Sequence, residues 1–371
     1  MSNWIRKPNR GARTKSPRWS GLHCGRTKLS WDTARVDRRR VPAGPAVVCR
    51  WDPASPKGHK RAIGVHLIET YEDKTASGCA ADTLTLRIGD VGVRIWSGDP
   101  DMKLRVNGAA RSFLVADGAA DVEVRSAWSK LGQPAHTSLV FDSGGLWRLS
   151  RELENYVFHL TSPMYGPLPY KQARFDPDFT RGEVLLEGSY FDSRDPVDAL
   201  EYPLDELLMM NLLAHGRGVE VHACGLEDSD GQGYLFLGHS GAGKTTMARL
   251  WQKAGGVQVL SDDRVILRSC AGKTWMYGTP WHGEARLALP KRTPLRQIFF
   301  LRHGTSNEIV PLGGAEALAR FLACSFVPYY SRAGLDFVLA FFQQLIESLP
   351  CAELRFVPEE RAVELARGET A

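Results

Sequence analysis

Hydrophobic residues first fall into a regular pattern near Ile63, and they do so with a period of two. Leu84, Leu86 and Ile88 alternate with polar partners, Gly89 and Asp90 supply a turn, and Val91, Val93 and Ile95 lead back, which is the spacing of a β-hairpin. Val140 and Phe141, a polar stretch over 142–145 and apolar residues over 146–149 predict a second hairpin. The period changes at Pro203. A proline at a first helical position, with Asp205 and Glu206 in the first turn, opens a helix through Leu207, Leu208, Leu212 and Leu213 that Gly216 or Gly218 closes. Beyond it the pattern predicts strands over 219–223, 234–237, 257–260, 264–268, 274–277 and 297–301, and helices over 245–253, 315–323 and 335–348. The expected fold class is α/β, mixed α+β overall: a smaller strand-rich domain over 63–200, with substrate recognition as its candidate role, then an α/β domain over 201–371.

Composition alters that picture mainly at the amino-terminal end. Of the 47 Lys and Arg among 371 residues, 16 fall within positions 1–61, where they face Asp32, Asp37 and Asp52; the rest of the chain holds 31 basic against 39 acidic residues. The formal charge of +5 therefore conceals a mildly acidic body behind a basic tail, and nucleic acid is not an expected partner of the body. Positions 1–62, which include Arg38, Arg39 and Arg40 and show no apolar period, are expected to be disordered. Three readings of this segment stand side by side: an arm for nucleic acid or a membrane surface, an Arg-rich targeting segment, and an unstructured extension. No apolar run nears the ~20 residues of a spanning helix, so no membrane partner is expected. Seven widely spaced cysteines without a metal-binding spacing predict free, mostly buried thiols and a cytoplasmic location.

The candidate chemistry lies in the second half. Gly238, His239, Ser240, Gly241, Ala242, Gly243, Lys244 and Thr245 match GxxxxGK[ST] at every fixed position, between an apolar strand and a helix with Met247, Ala248, Leu250 and Trp251 on its inner side. Glycines let successive backbone N–H groups turn toward phosphate oxygens, and the helix adds the positive end of its dipole. In this arrangement Gly238, Ser240, Gly241, Ala242, Gly243, Lys244, Thr245 and Thr246 cradle a nucleotide. Lys244 reaches the outer phosphates, and the Thr245 hydroxyl binds Mg²⁺.

Sixteen residues on, a strand runs into Ser261, Asp262 and Asp263. Two adjacent acids at a strand end beside a phosphate loop permit a division of labour, with Asp262 as general base and Asp263 supporting the metal. Either acid is also suited to capping the next turn. His222 ends the preceding strand and is a candidate for the same crevice, although histidines on strands are commonly packed without function. Within the loop Tyr277, Gly278, Thr279, Pro280, Trp281, His282, Gly283 and Glu284, Glu284 is a candidate metal or substrate contact; the alternative is a rigid turn around a buried Trp281. Arg264, Arg286 and Arg296 are candidates for phosphate clamps or for a solvated face.

Taken together, Val221, His222 and Ala223, the glycine loop, and Leu260, Ser261, Asp262, Asp263 and Arg264 resemble the catalytic domain of the HPr serine kinase/phosphorylase family. The run from Tyr277 through Glu284 is similar to the divergent HPr-kinase-like proteins of bacterial peptide-biosynthesis clusters. The resemblance implies a fold like that of phosphoenolpyruvate carboxykinase around the loop, ATP with Mg²⁺, and phosphorylation of a Ser or Thr hydroxyl. It also implies Asp262 as general base with His222 nearby, Thr245 on magnesium, and a protein or precursor peptide as acceptor. The chain lacks the glycine-rich signature of phosphorylase chemistry, and its amino-terminal half does not resemble the regulatory domain of the HPr enzymes. The expectation is an ATP-dependent kinase. A small-molecule kinase, a carboxykinase-type enzyme and a non-catalytic nucleotide switch are its rivals, and homo-oligomerisation is left open.

Overall fold

A computed structural model of the chain describes residues 80–116, 118–132, 138–192 and 194–369. The basic segment at 1–62 and the onset of pattern near Ile63 lie outside the described residues, as do Cys24, Cys49 and Cys79.

The first hairpin forms as its alternation predicts, with β1 (Thr83–Ile88) antiparallel to β2 (Val91–Ser97) and Ile88 opposite Val91. Gly89 and Asp90 carry φ of 59° and 57°, the double left-handed turn whose twist matches that of the strands it joins. β3 (Val122–Ser129) follows, and the second hairpin is made by β4 (Ser138–Asp142) and β5 (Trp147–Glu152). With β6 (Asn155–Ser162), β7 (Gly166–Phe175) and β8 (Arg181–Glu187) they build one eight-stranded sheet in the order β1-β2-β3-β8-β7-β6-β5-β4. Helix α1 (Leu204–Leu213) packs into the same core as this sheet, burying Leu204, Leu208 and Leu212 with Val93, Phe158 and Val184. Eight of the ten residues of α1 are buried, Glu206 and Asn211 among them. A helix enclosed on nearly every side must find partners for any polar group it carries.

The second sheet comprises β9 (Val219–Glu227), β10 (Gly233–Leu237), β11 (Gln258–Ser261), β12 (Arg264–Cys270), β13 (Lys273–Gly278), β14 (Arg292–His303), β15 (Glu308–Pro311), β16 (Ser325–Phe326) and β17 (Cys351–Phe356). Its main path runs β10-β9-β12-β13-β14-β17-β15, and a further parallel pairing of β10 with β14 brings that path back on itself. Helices α2 (Lys244–Ala254), α3 (Gly314–Ala323), α4 (Arg332–Ser348) and α5 (Arg361–Arg367) complete the fold. Adjacent residues of β14 point to opposite faces. Phe299 therefore joins Trp251 of α2 and Ala362 of α5 in one core, whereas Phe300 joins Phe321 of α3 and Phe342 of α4 in another.

The observed elements overlap the predicted ones and mostly run longer. β9 extends to Glu227 and β14 spans twelve residues, because each is paired on both edges and the ladder carries it past the end of its apolar run. Helix α4 starts at Arg332 because the Ser331 hydroxyl accepts the Gly334 N–H at 3.1 Å. Of the four described cysteines, all free, Cys224 and Cys324 are buried, Cys351 half-buried and Cys270 exposed. Among the described residues no helix is long and apolar enough to cross a membrane.

Trp251 is fully buried, its ring 4.8 Å from Tyr234 and 5.8 Å from Phe236. Trp251→Ala is expected to destabilise the fold by about 3–5 kcal/mol, read from the shift of the urea midpoint at unchanged slope.

Candidate functional site

Strand β9 changes partners in its middle, and the site forms where it does. Its first half pairs with β12, up to Arg264 opposite His222, and with β16, Ser325 opposite Val221. Its second half pairs with β10, Ala223 opposite Leu237, and with β11, up to Gly225 opposite Ser261. Between these ladders the backbone N–H groups of residues 222 and 223 turn to other partners. The His222 N–H donates to the Cys324 carbonyl at 2.6 Å, and the Ala223 N–H to the Asp263 carbonyl at 3.0 Å. Both edges of the strand thus open at His222.

The glycine loop leaves β10 beside that opening. Gly243 stands immediately before α2 with φ of 102°, and a Cβ there would lie 2.5 Å from the Phe356 ring, so backbone conformation and space both call for glycine. The first turn of α2 directs N–H groups out of the helix with no acceptor inside it. Lys244 is buried and bends back over the loop: its Nζ donates to the Gly238 carbonyl at 2.7 Å and the His239 carbonyl at 3.2 Å. The same Nζ lies 2.9 Å from Nε2 of His222. An ammonium only donates, so Nε2 accepts and the ring proton sits on Nδ1. Nδ1 in turn faces Asp263, 3.1 Å from its carbonyl and 3.2 Å from Oδ1 of its carboxylate. Lysine, histidine and aspartate form one continuous line.

The two aspartates face different ways. Asp262 is 2% exposed, and its carboxylate accepts three backbone N–H groups: Oδ1 from Gly283 at 2.9 Å and Leu287 at 3.2 Å, Oδ2 from Ala285 at 2.9 Å. It clamps the segment that carries Glu284. Asp263 is the partly exposed member, and it divides its carboxylate between His222 through Oδ1 and the Arg264 guanidinium through Oδ2. The carboxylate beside His222 is therefore that of Asp263, and that of Asp262 is taken up by the loop.

The loop is pinned at two further points. Thr279 donates its hydroxyl to the Arg264 carbonyl at 2.7 Å, and the indole N–H of Trp281 donates to Asp205 at 2.7 Å. Asp205 and Glu206 thus do more than favour the start of α1, since each holds a different part of the site. Glu206 accepts from Nε of Arg264 at 2.7 Å, and Glu220 of β9 lies 3.8 Å from the same nitrogen. Burial first, then Glu206 beside it, raises the Glu220 carboxyl well above its ordinary range. Removal from water raises Asp205 to about 8 against the pull of its Trp281 hydrogen bond. Glu206 and Glu220 were not among the sequence candidates. Their signal was a charge at Glu220 two residues before His222 in an otherwise apolar run, which puts both on one face of the strand.

Of the three arginines considered as phosphate clamps, Arg264 is committed to this buried cluster, Arg296 pairs with Asp230 at the surface, and Arg286 is exposed with φ of 55°. Glu284, Thr246, Ser240 and Gly241 are exposed, and Thr245, Ala242 and Gly243 half-buried. Among the described residues no three His, Cys, Asp or Glu side chains gather as a metal cage. The donors present, a helix-start threonine and separate carboxylates, suit a magnesium ion whose remaining ligands are phosphate oxygens and water.

No protein-family model and no curated protein matches the chain. Among solved structures it is similar to the HPr(Ser) kinase/phosphatase from Coxiella burnetii, with 12% identity and a TM-score of 0.24, covering 40% of this chain and 91% of that one. The likeness is distant, and the functional reading rests on the site itself.

Two measurements test this geometry. Asp262→Asn removes half of the acceptor that gathers the loop, so amide exchange at Gly283, Ala285 and Leu287 should accelerate and stability fall by about 1–3 kcal/mol. Because Asp205 is raised from 3.8 to about 8 on folding, the unfolded chain releases this proton first, and stability falls as pH rises between those values. Asp205→Asn should flatten that slope in denaturation curves taken from pH 4 to pH 8.

Proposed function

We propose that the protein is an ATP- and Mg²⁺-dependent phosphotransferase that moves the γ-phosphoryl group to a Ser or Thr hydroxyl of a protein or peptide, on a phosphoenolpyruvate-carboxykinase-like P-loop frame. The observation that carries this reading is the line from Lys244 through His222 to Asp263, with a phosphate-binding helix start at one end and a partly exposed carboxylate at the other. A nucleotide-binding loop without transfer chemistry has no need of the second end.

In the proposed reaction the triphosphate lies against the N–H groups of Gly241, Gly243, Lys244 and Thr245, and Lys244 exchanges its loop carbonyls for phosphate oxygens. Thr245 and Glu284 would hold the magnesium ion, which would neutralise charge on the phosphates. Asp263 accepts the proton of the acceptor hydroxyl as its oxygen attacks phosphorus in line. The new O–P bond forms as the bond to the bridging β–γ oxygen breaks, and ADP leaves. We assign the proton to Asp263 in place of Asp262 because three backbone N–H groups already occupy the buried Asp262 carboxylate. His222 holds Asp263 from one side and faces Lys244 on the other.

Lys244→Ala should abolish affinity for Mg-ATP in a fluorescent-nucleotide titration. Asp263→Asn should leave that affinity nearly intact and slow phosphoryl transfer by about 10²–10⁴-fold. Transfer is read by intact mass on candidate peptides and by phosphate release to water. Equal rates for wild type and Asp263→Asn, or no nucleotide affinity in the wild type, would overturn the proposal.

A further inference from the structure

The geometry points to Arg264 as a positioning residue: gripped from beneath by Glu206, with Glu220 alongside, it fixes the Asp263 carboxylate so that one oxygen faces His222. This rests on the reading of Asp263 as proton acceptor, although the geometric part is testable without activity. Asp263 sits in the turn between β11 and β12 with its side chain 24% exposed, where a carboxylate on two soft torsions otherwise samples several orientations. Arg264 removes that freedom. One edge of its guanidinium, at Nε, meets Glu206 at 2.7 Å and Glu220 at 3.8 Å, while its NH1 takes Oδ2 of Asp263. Phe326 lies across its face at 4.5 Å from the ring centroid. Contacts on two edges and a face leave a planar fork no rotation, and a lysine ammonium has no second edge to offer.

The four contacts come from four elements: α1 through Glu206, β9 through Glu220, β16 through Phe326, and the β11–β12 turn through Asp263. Arg264 is paired in a buried cluster and acts on the reaction through Asp263. Phe326 also stands edge-on to His222 at 6.5 Å, so the aromatic ring that braces the guanidinium braces the imidazole that Asp263 faces. The same α1 turn that supplies Glu206 supplies Asp205, the acceptor for Trp281 in the clamped loop. A displacement of α1 therefore shifts both sides of the crevice together.

The experiment compares Glu206→Gln, Arg264→Lys and Arg264→Met in the full chain by three readouts: Kd for a fluorescent ATP analogue, phosphate release from Mg-ATP, and the ¹⁵N shifts of the His222 imidazole. The proposal expects each variant to keep the nucleotide Kd and to slow phosphate release about 10- to 100-fold. Arg264→Met should be the slowest and Arg264→Lys only partly restored, with the His222 signals moving from a single Nδ1–H tautomer toward a mixture. Variants that lose thermal stability but keep the wild-type rate and His222 tautomer overturn it. Should Arg264→Met fail to fold, Glu206→Gln decides alone. If the wild type neither releases phosphate nor phosphorylates a candidate peptide, the kinase reading fails, and the His222 tautomer still reports on whether Arg264 sets Asp263.

Discussion

The site depends on a strand that exchanges its neighbours half-way along. Strand β9 is hydrogen-bonded on both edges at either end, and at residues 222 and 223 its backbone N–H groups must find acceptors elsewhere. A buried N–H cannot go unpaired at small cost, so the carbonyls of Cys324 and Asp263 are drawn in to meet His222 and Ala223. That requirement delivers the β11–β12 turn to one edge of the strand and the end of α3 to the other. It also leaves the His222 side chain between the glycine loop and the tandem aspartates. The catalytic candidates meet because the backbone between them has hydrogen bonds to satisfy.

The buried charges follow a related logic. Arg264 faces Glu206, Glu220 and Asp263, and one guanidinium does not balance three carboxylates in a region largely closed to water. Raising the Glu220 carboxyl toward its neutral form relieves the surplus. What remains is an arginine held between Glu206 and Asp263, with Glu220 3.8 Å away on the Glu206 side. Such a cluster contributes little net stability over an apolar replacement. What the cluster does supply is a fixed direction for Asp263.

Much of this was legible in the sequence, and the exceptions share a cause. The hairpin at Gly89 and Asp90, the glycine loop between β10 and α2, and the inner face of α2 are local features, decided by residues a few positions apart. His222 near the loop was readable from resemblance to a family. The role of Glu206 was hidden because a glutamate in a first helical turn has a sufficient local explanation in the helix dipole. Nothing within ten residues of it announces an arginine 58 positions later. The sequence reading assigns the base to Asp262 and the metal to Asp263, but which of them faces the loop depends on where 283–287 returns in space.

That last point explains why the acids come as a pair. A turn that ends one strand and begins the next sends consecutive side chains in different directions, so one carboxylate can hold the covering loop while its neighbour faces the crevice. Asp262 accepts from Gly283, Ala285 and Leu287, and the loop thereby stays closed over the end of β11. Asp263, one residue on, keeps partial contact with water and a directed oxygen. A single acid would have to choose between a fixed loop and a reactive carboxylate. Two in succession separate the tasks while tying each to the same stretch of backbone, so any movement of the loop is felt at once by the carboxylate that faces His222.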